Sequence, residues 1–509
     1  MFKKKRKTTP IMTFIIFSII TIILSGFLHL LNVQAEYSTV NKVTGDLVNN
    51  VVEVKNLFSV SGIKHIITSA VSDFVNFAPL STLIIILIGI GVLEKSGFMK
   101  TAITLMTKNT KKNTVTFLLI LICLLFSILG DIGFVVMLPI GALIFKYGRR
   151  NPLGGIIATF SALSFGSGIN IFLSSTDSSL LNLTLNAART IDPKYNVGTF
   201  FALFIMIFML IVVAIVFTNI TEKKIMPRLP RIEEEAEEVI ITNKELRGLI
   251  VGLAGGIIFL LIITYMIIPG LPLSGGLLDN NADIYIDKLF GSGSLFNKGF
   301  IFIVTILFII VGFGYGIMAK TIKSSKDATD SLSYSLDGIG SILVLIFFAS
   351  IFVNIVLQSN IGEVIVAFFA TIIGNINFTG IPLILLVTVF VAISNIICPN
   401  SLIKWSILSA TVVPLLLNAS ISPEFSQIIF NAGDSMTNGL TPIFAYFVIY
   451  LAFLDKYNGG EIITMKNAVK YMIPYSIFVS IIWIVVLVGW YMLGVPIGIG
   501  SIPGVVYGA

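Results

Sequence analysis

Long apolar runs separated by short charged loops dominate this sequence. A run of about 20 apolar residues forms a helix that crosses the ~30 Å hydrocarbon core of a bilayer. The chain is 56% hydrophobic and 12% charged, whereas a soluble domain is about 25% charged. It therefore lacks a polar surface, and we predict an all-α polytopic membrane protein. The predicted spans include 11–32, 79–93, 198–220, 247–269, 298–319, 338–357, 437–455 and 471–495.

The basic residues predict how the chain is oriented. Five of the first seven residues are Lys or Arg, and further basic clusters follow residues 93, 145 and 319. Basic loops remain cytoplasmic, so we expect the N-terminus inside, the C-terminus outside and about nine crossings. The first run could belong to a cleaved signal peptide, but it is longer than the 7–15 apolar residues typical of one. We interpret it as an uncleaved span.

Other compositional features exclude several classes of protein. The net charge of +7 lies in loops beside apolar runs, so we predict no nucleic-acid partner. The two cysteines lie in apolar runs and indicate no disulfide framework, and two histidines are too few for a histidine-rich metal centre. No nucleophile–base pair or metal cluster is evident, so we predict that the chain is not an enzyme and carries no cofactor.

Two interrupted zones, about 151–197 and 360–442, mix polar residues, Gly and Pro with apolar segments. Irregular backbone at membrane depth persists only when it is buried in protein or lines a water-filled cavity. Interrupted segments at corresponding positions of two halves indicate a transporter binding site. We align Asn170 in the first zone with Asn395 in the second, which predicts an inverted repeat.

The zones divide the chain into five segments. An N-terminal span and external segment is followed by a first repeat half, a charged cytoplasmic loop, connecting spans and a second repeat half. The predicted boundaries are 1–78, 79–220, 221–246, 247–337 and 338–509.

One acid in each zone is a candidate for coupling. Burying Asp177 or Asp434 at membrane depth costs at least about 2.5–3.5 kcal/mol, which a cation, a proton, a basic partner or water must offset. Because Lys404 is the only base of the second zone, we favour a proton or cation. The side chains of Asn170 and Asn395 offer oxygen ligands for Na⁺, although a buried Asn can also simply bond a neighbouring helix.

Three further residues have less specific signals. Trp405 could anchor the chain at the membrane interface or stack on an aromatic substrate. Pro423 and Pro442 remove backbone donors, which supports helix breaks without identifying a ligand.

Four stretches resemble the p-aminobenzoyl-glutamate transporter (AbgT) family. They are "SDFVNFAPLSTLIIILIGIGVLEKSG" (72–97), "SSTDSSLL" (174–181), "SNIICPNSLIKWSIL" (394–408) and "SPEFSQIIFNAGDSMTNGLTPIFAYF" (422–447). The resemblance implies nine spans, two re-entrant hairpins, an inverted repeat and a homodimer in the bacterial inner membrane. It also implies proton- or cation-coupled movement of p-aminobenzoyl-glutamate or export of sulfonamide antimetabolites. The family's functional positions fall on Asp177, Asn395, Trp405, Pro423, Asp434 and Pro442.

The sequence departs from the family pattern at two positions. Asn431 stands where the family has an arginine, so a cation that could bind a substrate carboxylate or pair with Asp434 is expected to be missing. Lys404 could replace the lost charge, although the resemblance implies a lysine there in relatives too. Leu402 stands where a serine is expected, with Ser401 adjacent. Three alternatives stay open: a dicarboxylate symporter, a short-chain fatty-acid symporter and a sodium/proton antiporter.

Overall fold

A computed structural model describes residues 8–41, 44–230, 241–291 and 293–504. The basic residues 3–7, which contribute to the predicted orientation, lie outside these residues, as does the glutamate-rich part of the predicted cytoplasmic loop 221–246. The described part is mainly helical, as predicted, with one two-stranded antiparallel sheet that the sequence analysis missed.

The first part of the chain runs from the N-terminus to residue 220. Its elements are α1 Pro10–Leu30, β1 Gln34–Val40, β2 Leu47–Glu53, α2 Val60–Val75, α3 Ala78–Lys95, α4 Phe98–Lys108, α5 Lys112–Phe126, α6 Asp131–Tyr147, α7 Pro152–Phe165, α8 Ser175–Arg189 and α9 Leu203–Ile220.

The second part begins after the charged loop. Its elements are α10 Asn243–Ile267, α11 Tyr285–Phe290, α12 Leu295–Ala319, α13 Ser325–Ser333, α14 Gly340–Gln358, α15 Ile361–Gly374, α16 Gly380–Ile397, α17 Ser401–Asn418, α18 Pro423–Thr437, α19 Phe447–Lys456 and α20 Met465–Leu493.

The helices confirm a polytopic membrane protein. Within the described ranges, ten helical stretches are long and apolar enough to cross a bilayer. Helices α1 and α10 expose most of their apolar side chains, which is unfavourable in water and fits apolar surroundings such as lipid. The strands pair from Gln34 with Glu53 to Val40 with Leu47, and they pack on α15 and α17.

The same series of elements occurs twice. Helices α3–α9 comprise two helices, two helices joined by a sharp turn at 127–130, a helix broken at 166–174, and a long final helix. Helices α14–α20 repeat this series, with the turn at 398–400 and the break at 438–446. The two helices joined by each turn pack on other helices more than on each other.

Two predictions need correction. Asn170 lies in the break after α7, whereas Asn395 lies in α16 just before a turn. They are not equivalent, and their alignment reflected only the abundance of Asn, Ile and Ser. The expected span at 437–455 contains a break and the 10-residue helix α19, which is about 15 Å long and too short to cross alone.

The centre of the molecule is formed by α7 and α18. Every residue of α7 is buried, as is every residue of α18 except the last. Helix α18 is nevertheless polar, with Glu424, Gln427, Asn431 and Asp434 among its buried side chains. A polar helix at this depth needs partners for these groups, and the partners define the site.

Candidate functional site

The two helix breaks contact each other. Asn438, at the start of the second break, donates from Nδ2 to Ser167 Oγ of the first break (3.2 Å). Gly168 lies so close to α18 that a Cβ there would be 2.8 Å from the Asn431 carbonyl oxygen. Only glycine allows this approach. The ends of four half-helices therefore converge, a geometry that supplies helix-end dipoles and free backbone groups.

A cavity of about 340 Å³ lies beside these breaks. Its lining includes both acids, Asp177 and Asp434, each only 6% exposed. It also includes an aromatic cluster in which Phe134, Phe444 and Tyr446 contact one another. The remaining polar residues that line the cavity are Ser127, Ser167, Asn170, Ser174, Thr176, Asn400, Ser401, Asn431 and Asn438.

Asp177 is held by hydrogen bonds alone. Its carboxylate accepts from Asn170 Nδ2 (2.7 Å) and from the hydroxyl and backbone N–H of Ser174 (2.7 and 3.1 Å). Ser174 and Asp177 form the capping box that starts α8. Among the described residues, no lysine or arginine forms an ion pair with Asp177. Its counter-charge therefore has to come from a helix N-terminus, a proton or a bound cation.

Asp434 has a basic partner, contrary to our preference for a proton or cation. Lys404 Nζ forms a buried ion pair with Asp434 Oδ1 and also donates to Asn395 Oδ1. Ser401 Oγ donates to the second carboxylate oxygen (2.6 Å). Lys404 is 30 residues from Asp434 in sequence, and only the turn before α17, capped by Asn400, brings it close.

The proposed sodium ligands are already engaged. Asn395 directs its oxygen at the Lys404 ammonium, and its amide donates to the Asp434 carbonyl (2.8 Å). The Asn170 oxygen accepts from Ser127 (2.8 Å). An Na⁺ ion at Asn170 would require this amide to turn its oxygen toward Asp177.

Asn431 lies one helical turn before Asp434 and contacts Asp177 as well as Gly168. The arginine that the resemblance implies here is absent, and Lys404 supplies a cation to Asp434, the replacement considered in the sequence analysis. Leu402 lines the cavity beside Ser401.

Trp405 and the two prolines lie outside the cavity lining. Trp405 is fully buried, so it is not an interfacial anchor; its ring packs on Phe430 (4.5 Å), and Nε1 donates to Thr184 Oγ1 (2.8 Å). Pro423 is the buried first residue of α18, where a missing N–H costs nothing. Pro442 lies in the second break.

Sequence reasoning missed two sets of site residues. Asn438 follows Asp434 by four residues and so shares its helical face, a spacing that could have identified it. The aromatic cluster had no such signal, because Phe134 and Tyr446 are more than 300 residues apart and aromatic residues are common throughout the chain.

Broken helices that meet around a polar cavity inside an apolar helical bundle define a membrane transport protein. The chain belongs to the AbgT putative transporter family, whose family model matches residues 5–505. This confirms the resemblance and the prediction that the chain is not an enzyme. The ten apolar stretches fit a multi-pass protein of the bacterial inner membrane.

Individual relatives are similar over nearly their full length. The p-aminobenzoyl-glutamate transport protein of Escherichia coli (strain K12) is 26% identical over 97% of this chain and 94% of its own length. The YdaH transporter of Alcanivorax borkumensis is 27% identical with a TM-score of 0.48, covering 96% of this chain and 100% of its own. MtrF of Neisseria gonorrhoeae, described as illuminating a class of antimetabolite efflux pumps, is 28% identical with a TM-score of 0.49, covering 98% of each chain.

Proposed function

We propose that this chain is a secondary active transporter of p-aminobenzoyl-glutamate or a related aromatic carboxylate, coupled to a proton or sodium gradient. The observation that carries the proposal is the cavity, whose lining combines an aromatic cluster with acid and amide side chains. Its volume of about 340 Å³ is at the small end of the ~300–1,000 Å³ range of ligand pockets. The aromatic cluster offers contacts to an aromatic ring, and the amide and hydroxyl side chains of the lining offer hydrogen bonds to a polar tail.

The charges of the cavity suggest how coupling works. Lys404 neutralises Asp434, whereas Asp177 has no ion-pair partner among the described residues. A substrate carboxylate beside a charged Asp177 would cost several kcal/mol, as like charges do in a buried site. A proton or Na⁺ on Asp177 removes this repulsion. By linkage, the substrate then favours binding of the same ion.

In this mechanism Asp177 exchanges its counter-ion while Asn170 and Ser174 orient its carboxylate. The helix ends at 166–174 and 438–446 hold the polar groups of the substrate. Movement of one set of helices against the other then opens the cavity to the other side. Because ion and substrate bind together, these steps describe symport, which an inward ion gradient drives toward import. Gradient-driven export of a sulfonamide would instead require the ion and the substrate to occupy the cavity alternately.

The test is transport by purified protein in proteoliposomes under separately imposed proton and sodium gradients. Candidate substrates are p-aminobenzoyl-glutamate, benzoate, succinate and a sulfonamide. We expect competition by the aromatic carboxylates but not by succinate. Competition by succinate alone would indicate a dicarboxylate carrier, and ion exchange without any organic substrate would indicate an antiporter.

Asp177→Asn tests the coupling role directly, because the amide keeps the shape of the side chain without its charge. We expect gradient-driven accumulation to fall by roughly tenfold or more, given coupling free energies of about 1–3 kcal/mol, while substrate exchange without a gradient persists. The matched control is Asp287→Asn, an acid that accepts from Ser178 (3.1 Å) outside the cavity lining. Wild-type accumulation by Asp177→Asn would refute the coupling role.

A further inference from the structure

Lys404 is a fully buried lysine whose ammonium faces oxygen atoms of two other helices. It extends from α17 to Asn395 Oδ1 on α16 and to Asp434 Oδ1 on α18, and its side chain is 0% exposed. Apart from these oxygens, its surroundings include the ring of Phe430, 5.9 Å from Nζ. A lysine is rarely buried this completely unless it is paired.

The oxygen atoms around Lys404 Nζ form the kind of set that binds a monovalent cation. Hard cations take carboxylate and amide oxygens as ligands, and here one of each converges on a single point. Ser401 orients the same carboxylate through its other oxygen. The Lys404 ammonium places a covalently attached positive charge at this point.

We propose that Lys404 is a tethered cation that occupies the position beside Asp434 where a free Na⁺ would otherwise bind. The proposal deepens the proposed function and rests on it. The ammonium excludes Na⁺ from Asp434 and Asn395, so Asp434 holds a permanent partner through the transport cycle. Asp177 is then the cavity acid that exchanges its counter-ion.

The proposal predicts that removal of the ammonium creates a sodium site. Lys404→Met keeps most of the side-chain volume but leaves the Asp434 carboxylate buried without a charge partner. We expect purified Lys404→Met to unfold at a lower temperature than wild type in choline chloride and to regain several degrees when NaCl replaces it, because a ligand that binds only the folded state stabilises it. It should also bind ²²Na⁺ saturably. To remove any Na⁺ bound at Asp177, the comparison is made in an Asp177→Asn background, where the protein with Lys404 intact should bind no Na⁺ and show a much smaller response to NaCl.

Three variants serve as controls. Lys404→Arg retains the charge, and the double variant Lys404→Met/Asp434→Asn removes both charges, so neither should gain the sodium response. Lys146→Met removes a lysine that pairs with Glu94 (2.9 Å) but is 37% exposed, and it should not gain one either. These controls show whether the sodium response comes from the unpaired Asp434 carboxylate or from the loss of a lysine in general.

Two outcomes would overturn the proposal. One is a sodium response in the Asp177→Asn background with Lys404 intact that is as large as that of Lys404→Met in the same background. The other is a Lys404→Met protein that ignores Na⁺, or that cannot be recovered in either salt although the double variant folds. Recovery of Lys404→Met only in NaCl would support it. The unfolding and ²²Na⁺-binding measurements need no organic substrate. They therefore remain valid even if none of the candidate substrates is transported.

Discussion

At the scale of single residues, the two cavity acids are stabilised by different means. Asp177 accepts three hydrogen bonds at a helix N-terminus, where the helix dipole also favours negative charge. Asp434 is paired with an ammonium ion inside the protein. The Asp177 carboxylate is held only by hydrogen bonds, so it can be neutralised without leaving another charge unpaired. Neutralising Asp434, in contrast, would leave Lys404 unpaired. This difference is why we assign coupling to Asp177.

Asp434→Asn should therefore mainly lower the stability of the folded protein. Removing one partner of a buried ion pair typically costs about 3–5 kcal/mol, because the remaining charge is uncompensated. We expect a clearly lower unfolding temperature in detergent for the single variant. The double variant Lys404→Met/Asp434→Asn should recover most of the loss. An unfolding temperature equal to that of wild type for Asp434→Asn alone would show that the pair contributes little.

At the scale of elements, glycine lets the central helices approach their neighbours closely. A Cβ on Gly433 of α18 would lie 2.6 Å from the Thr388 carbonyl oxygen of α16, and one on Gly155 of α7 would lie 2.1 Å from the Gly141 carbonyl oxygen of α6. Small residues at such contacts are typical of helix packing in membranes. The helices that lead into the breaks, α7 and α18, are thus positioned by backbone contact with α6 and α16, which flank the two sharp turns.

Gly433→Ala should disturb this packing. The added methyl group meets backbone and the Cβ of Val391 (2.7 Å), neither of which can move away easily. We expect a loss of about 1–3 kcal/mol, as for other overpacked cores, measured as a lower unfolding temperature, together with weaker substrate transport.

The matched control is Gly299→Ala in α12, where a Cβ meets nothing within 4 Å. This change should be neutral or slightly stabilising, by up to about 1 kcal/mol. Equal effects of the two alanines would indicate that helix propensity, and not close packing of α16 on α18, decides the result.

At the scale of the whole molecule, hydropathy and charge predicted most of the architecture. The apolar runs located the main spans, and both acids line one cavity as expected. The pairing of Lys404 with Asp434 and the β-hairpin were not predictable in the same way. Each depends on contacts between segments that no local periodicity encodes, and Asn, Ser and Ile recur too often for a short alignment such as Asn170 with Asn395 to identify equivalent positions.

The orientation of the bundle gives the last prediction. The basic loops place the segment after α12 inside the cell and the segment between α10 and α12 outside. Lys326→Cys and Asp283→Cys introduce thiols at exposed positions in these two segments, and the native Cys123 and Cys398 are buried, so background labelling is low. In intact cells or spheroplasts, a membrane-impermeant maleimide should modify Asp283→Cys and spare Lys326→Cys, whereas lysed membranes should react at both. The opposite labelling pattern in intact cells would show that the protein lies in the membrane in the reverse orientation. Each helix break would then be reached from the other side of the membrane.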